Sequence, residues 1–242
     1  MLLKLLKAER MKLRRSPVWI AFIIMPVVPA LLGTINYLGN LGVLQSEWYS
    51  LWTQHTLFTC YFFLPILIGV YCSYIMRLEQ NNHNWNRLLV MPMPRGLVYM
   101  SKLITASLMI ALSEIWIGAL FIISGKLCGL SAAPPWLELI KWCAFGTLGG
   151  IVMAAVQLCI SIFIKSFALP VGIAFGGGIS GLALLAKGYG YIWPYSLMAY
   201  GMESNAPQEA MTVSSGPFAV ICIGYIALFT IAGSILMSRK EL

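Results

Sequence analysis

The sequence predicts an all-α polytopic membrane protein: six transmembrane helices, an N-terminal amphipathic helix on the membrane surface, and both termini in the cytoplasm. Three observations predict this. Apolar residues make up 60% of the 242-residue chain and charged ones only 10%. Six apolar runs recur, at 18–38, 57–76, 103–124, 139–164, 167–186 and 217–237. Each is close to the roughly 20 residues a helix needs to cross a hydrocarbon core, and within lipid only a helix or a closed barrel satisfies its own backbone. Short alternating strands of the barrel type are not evident. The net charge of +8 is also distributed unevenly. Thirteen of the 16 basic residues fall before the first run, after the second, between the fourth and fifth, or after the sixth. Lys126, Lys141 and Lys187 alone fall on the other side. The positive-inside rule makes the crowded side cytoplasmic, and this placement assigns the charge to membrane topology rather than to nucleic acid.

From the N-terminus, residues 1–16 form the interfacial segment. The basic start and following apolar run resemble a signal peptide, but the run is long and no small-x-small cleavage site follows, so the segment is read as a retained anchor. At about 100° per residue, Leu2, Leu5, Leu6 and Leu13 share a face. Glu9 falls on that face, where a carboxylate seeks a protein partner; pairing with Lys12 is the local alternative. Pro26 and Pro29 in the first span, Pro65 in the second and Pro170 in the fifth are expected to bend their helices. Gly146, Gly150 and Ala154, then Gly172 and Gly176, then Gly177 and Gly181 recur at four-residue spacing and allow close helix approach. The outer loop, 187–216, carries Tyr189, Tyr191, Trp193, Tyr195 and Tyr200. It reads either as an interfacial aromatic belt or as a short re-entrant helix over 194–202 that closes the outer end of a pathway. Glu47, Glu138, Glu203 and Glu209 give the outer rim a slight acidic excess.

Several chemistries are missing. There is no G-x-x-x-x-G-K-[ST] loop, so the chain is not expected to hydrolyse nucleotide itself, and no cofactor is assigned to it. "GISG" at 178–181 imitates an intramembrane serine-protease motif, but His55 and His83 both fall outside the predicted spans and leave Ser180 without a base. No His/Cys/carboxylate spacing suits a metal, and the six cysteines contain no C-x-x-C pair. One intramembrane charge remains. Glu114 lies about 17 Å into the third span, where an ionised acid costs a few kcal/mol. It is expected to line a pathway or steady a contact, or else to stay neutral and hydrogen-bonded to a neighbouring helix, with Gln157 of the fourth span as the nearest polar candidate.

Residues 77–102 form the largest cytoplasmic loop. Within it "NNHNWNRLLVMPMPRG" (81–96) is polar and punctuated. A helix can start near Asn82 and must end before Pro92. Trp85, Leu88 and Leu89 share one face of it. So short a helix is not stable alone, and it needs either a pocket in a partner or the membrane and the chain's own spans to press against.

"ERMKLRRSPVW" (9–19), "LEQNNHNWNRLLVMPMPRGLVYMSKL" (78–103) and "WPYSLMAYGM" (193–202) resemble permeases of ABC transporters of the ABC-2 type, closest to those of lantibiotic (lanthionine-peptide) immunity and resistance. The resemblance covers the whole chain. It implies a coupling loop in which Glu79 is the family's acid, Trp85, Arg87, Leu88 and Leu89 form the helix that meets the ATPase, and Pro92, Pro94 and Arg95 close the turn; Lys165 falls in a smaller second contact. It also implies a separate ABC ATPase in two copies that binds the ATP and Mg, a second permease subunit, related or identical, and residence in the bacterial cytoplasmic membrane among its lipids. The function it implies is expulsion of a cationic antimicrobial peptide; Glu114, Gln157, Trp193 and Tyr195, from the reading of the spans and outer loop, are the candidate pathway residues. Another exported cargo, or a sensor or scaffold that moves nothing, are the alternatives.

Overall fold

A computed structural model describes residues 1–80, 94–204 and 215–239. Helix α1 covers Leu2–Leu13 and α2 covers Val18–Gly39. Helix α3, Glu47–Phe58, passes through a π-helical turn at Thr59–Phe63 into α4, Leu64–Gln80. Then come α5, Arg95–Leu127; α6, Trp136–Phe163; α7, Ala168–Ala186; the short α8, Leu197–Gly201; and α9, Ser215–Arg239. No strand occurs among the described residues, and six helical segments are long and apolar enough to cross a membrane.

The second and third of these are longer than the apolar runs suggest. Glu47–Gln80 holds 34 residues, about 51 Å at 1.5 Å each, and α5 is nearly as long. Both protrude well beyond a hydrocarbon core of about 30 Å. Their ends therefore carry polar residues that a search for apolar runs assigns to loops: Glu79 lies on α4, and Lys102 is the eighth residue of α5. His55 is corrected in the same way. It sits on α3, buried, with its Nε2 3.0 Å from the Thr34 hydroxyl of α2.

The prolines act differently from one another. Pro65 has no N–H to donate and crowds the carbonyl four residues back; the π turn falls just ahead of it, and Leu64 N–H reaches Thr59 O. Helix α2 continues through Pro26 and Pro29. Pro170 lies in the first turn of α7, where a missing N–H leaves no bond unmade.

The α3–α4 rod is the most deeply buried element. Trp52, Tyr61, Leu67, Ile68, Tyr71 and Ile75 are all 1% exposed or less. Helices α2, α7 and α9 are peripheral and turn residues such as Ile23, Ile35, Leu169, Val220 and Ile231 outward, as a lipid-facing surface requires. The small-residue positions divide accordingly. A Cβ on Gly150 would lie 2.8 Å from Ile110, and one on Gly177 2.5 Å from the Tyr195 ring, whereas Gly172 and Gly176 have nothing within 4 Å.

Candidate functional site

At the cytoplasmic end, four charged side chains from three helices form a square. Lys102 of α5 donates to Glu9 Oε1 of α1 at 3.1 Å and to Glu79 Oε1 of α4 at 2.7 Å. Lys12 of α1 donates to the same two oxygens, at 3.1 Å to Glu9 and at close range to Glu79. The two carboxylates and two ammoniums balance. Glu9, Glu79 and Lys102 are essentially excluded from solvent, while Lys12 is one-third exposed. Burial disfavours the Lys12 ammonium, but Glu9 and Glu79 outweigh that and hold its pKa above the usual lysine value. The Glu9 pairing expected within α1 is therefore only half of its contacts; the other half crosses to α5.

The rest of that end is tied in as well. Gln80 donates to Ser161 O at 3.0 Å, which joins the tip of α4 to the last turn of α6. The Arg77 guanidinium lies 5.8 Å from the centre of the Phe167 ring, in the linker before α7. Arg95, at the start of α5, donates to the Ser238 carbonyl of α9. Lys165 is exposed in the same linker as Phe167. Glu79, Arg95 and Lys165 are thus brought to one end of the bundle, Glu79 and Arg95 on the two helix ends that flank residues 81–93. Trp85, Arg87, Leu88 and Leu89 lie outside the described residues. Glu79 is buried and faces Lys102.

At the opposite end, residues 193–204 turn back into the bundle around α8. Leu197, Met198, Ala199 and Met202 are buried. The approach is close: a Cβ on Gly149 would fall 2.5 Å from Met198 N, and one on Gly201 2.7 Å from Phe145 O. Indoles and hydroxyls of the core grip this segment. Trp52 Nε1 donates to Met202 O at 2.9 Å, Thr56 Oγ1 to Ser204 O at 3.2 Å, and the Tyr61 and Ser204 hydroxyls are 2.9 Å apart. Glu203, held at φ 49°, accepts from Trp142 Nε1 at 2.9 Å and pairs with Lys141 at 2.9 Å. Glu47 accepts from Ser131 and from the N–H of Ala132. Glu138 lies 4.0 Å from Lys141, so all three outer acids among the described residues have partners, which weakens the idea of a free acidic rim; Glu209 lies outside those residues. The re-entrant reading of the outer loop fits this geometry, with the helix itself shorter than the expected 194–202.

The predicted pathway residues separate. Gln157 does not reach Glu114; it bonds the Tyr195 hydroxyl at 2.8 Å. Depth along two helices made Gln157 a plausible partner, but its rotation places it against the re-entrant segment. Trp193 Nε1 is 3.4 Å from Gly177 O. Glu114 is 1% exposed, and neither carboxylate oxygen has a hydrogen-bond partner among the described residues. Its neighbours are apolar or small: a Cβ on Gly146 would touch both Glu114 Oε1 and Met202.

Sequence reasoning missed Lys102, Trp142 and Glu203. A signal for Lys102 existed. A helix opened by Pro94 puts Lys102 two turns inside it and at the head of a face continued by Ala106, Met109 and Ser113.

Six apolar helices, a surface helix locked to two of them by buried charge, and a re-entrant outer segment define a polytopic membrane protein with elaborated polar contacts at both ends. The chain belongs to the ABC-2 family of transporter proteins: that family's sequence model, described as ABC-2 family transporter protein, matches residues 5–181. No curated protein matches the chain. It is therefore the membrane permease component of an ABC transporter, not the ATPase, and its family works with an ABC ATPase.

Proposed function

We propose that this permease expels a lantibiotic-type cationic antimicrobial peptide from the bacterial cytoplasmic membrane and so gives immunity or resistance. Two ATPase copies, which hold ATP and Mg, and a second permease subunit complete the assembly. The observation that carries the mechanism is the buried square of Glu9, Lys12, Glu79 and Lys102. It joins the surface helix α1 to the two helix ends that flank the 81–93 segment. A displacement of that segment by an ATPase moves Glu79 and Lys102, because leaving either charge buried and unpaired costs several kcal/mol. Helices α1, α4 and α5 then move as one body. Glu79 acts as a positioning residue that transmits the motion, while Trp85, Arg87, Leu88, Leu89, Arg95 and Lys165 meet the partner. The lanthionine-peptide cargo is supported by the resemblance of the N-terminal, loop and outer segments to permeases of that branch.

The test is protection. A susceptible bacterium carrying the permease and its ATPase is challenged with cationic lanthionine peptides, uncharged peptides and amphipathic drugs. The reading predicts protection against the cationic peptides that disappears when the ATPase's nucleotide-loop lysine is replaced. Protection against drugs alone assigns another cargo. Protection that survives loss of the ATPase assigns a sensor or scaffold.

A further inference from the structure

Glu114 is a buried acid with no counter-charge among the described residues, and it borders a groove with its two carboxylate oxygens covered. Between the outer halves of α5 and α6 lies a cleft of about 780 Å³, within the range of small-molecule sites. Its walls are Ala119, Ile122, Leu139, Ile140 and Ala144, with Trp136 at the outer mouth, Ala111 at the inner end and Glu114 about one turn above it. From Ala111 to Ile123 it follows α5 for about 18 Å. Lys141, the one cation on α6, is held by Glu203 on the re-entrant segment. The Thr147 hydroxyl, on the same wall, is already bonded to Cys143 O at 2.7 Å. Among the described residues no lysine or arginine lines the groove.

We propose that this groove binds an apolar amine: a hydrophobic body along α5 and α6, with one protonated nitrogen set against Glu114. The chemistry selects it. Apolar walls alone accept any lipid chain. A carboxylate in a medium of low dielectric gains far more from a cation than it would in water, and a ligand that supplies the missing charge relieves the cost of keeping the acid there. A neutral chain of the same length gains only the apolar contact. The site needs neither the ATPase nor the export reading, since binding to the permease alone is its readout.

Cys143 lines the same groove and is half-buried, so it reports occupancy. Cys128 is the other half-buried cysteine among the described residues. The permease with Cys128→Ser is placed in lipid nanodiscs, and Cys143 labelling by a small maleimide is followed against N,N-dimethyldodecylamine and, at equal membrane mole fraction, 1-dodecanol. The amine is expected to slow labelling at least fivefold where dodecanol changes it less than twofold. Glu114→Gln, close to isosteric, should bring the two probes together. Ala119→Phe, on the outward wall, should slow labelling without any probe and leave the amine little to add. Equal effects of amine and alcohol on the Cys128→Ser protein, no effect of either, or a preference for the amine that survives Glu114→Gln would overturn the proposal.

Discussion

Replacing Lys102 by methionine keeps the length and most of the volume of the side chain and removes one charge. Two carboxylates, each 4% exposed or less, are then left with Lys12 alone. Removing one partner of a buried pair costs about 3–5 kcal/mol, because the remaining charge stays desolvated. Lys12 softens this little, because it already contacts both oxygens. It is also one-third exposed, so water can take its place at that edge and Lys12→Ala should cost less than Lys102→Met. The assay is reversible unfolding in mixed micelles by SDS titration, followed by circular dichroism. Lys102→Met should lower stability by about 3–5 kcal/mol. Adding Glu79→Gln, which removes one of the stranded charges, should recover more than half of that, since contacting residues couple strongly. Loss of less than 1 kcal/mol in Lys102→Met, or no recovery in the double variant, would refute the claim that the square is a tight buried network.

The pH response of the Lys12 contact has a definite sign. Its pKa is raised above the usual 10.5, so its contribution is complete below about pH 10.5 and fades as pH rises through the folded value; the stability gap between wild type and Lys12→Ala should be flat from pH 6 to 9. A gap that narrows across that window contradicts the assignment. Gly149→Val forces a Cβ toward Met198 N, where it would sit at 2.5 Å, and should cost about 1–3 kcal/mol or more in the same titration, while Gly172→Ala, in open space, should stay within about 0.5 kcal/mol. Trp142→Phe strips the indole N–H from Glu203 and should cost about 1–3 kcal/mol, with faster proteolysis around residue 203 as a second readout.

The six spans were legible because apolar run length and charge sidedness both follow from the bilayer itself. What the sequence hid depends on rotation and on protrusion. Lys102 counts as a loop cation when spans are bounded by hydropathy, yet α5 begins at Arg95 and carries it inside. Gln157 and Glu114 are close in depth, but only the packed helices reveal that Gln157 faces Tyr195. The outer acids Glu47 and Glu203 look like a rim when summed as charge; their partners Ala132, Trp142 and Lys141 are separated from them in sequence by 60 residues or more. Pro194 and its aromatics left an interfacial belt and a re-entrant turn both open, and the grip of Trp52 and Trp142 on residues 202 and 203 was not legible at all.

Coupling is tested most directly by the number of cargo molecules moved per ATP hydrolysed. The permease and its ATPase are reconstituted in liposomes, with wild type compared to Glu79→Gln at equal folded amounts. The account predicts that Glu79→Gln keeps ATP hydrolysis within about twofold and lowers peptide moved per ATP by at least tenfold. An unchanged ratio would mean that the buried charges hold the bundle together but carry no motion from the ATPase to the spans.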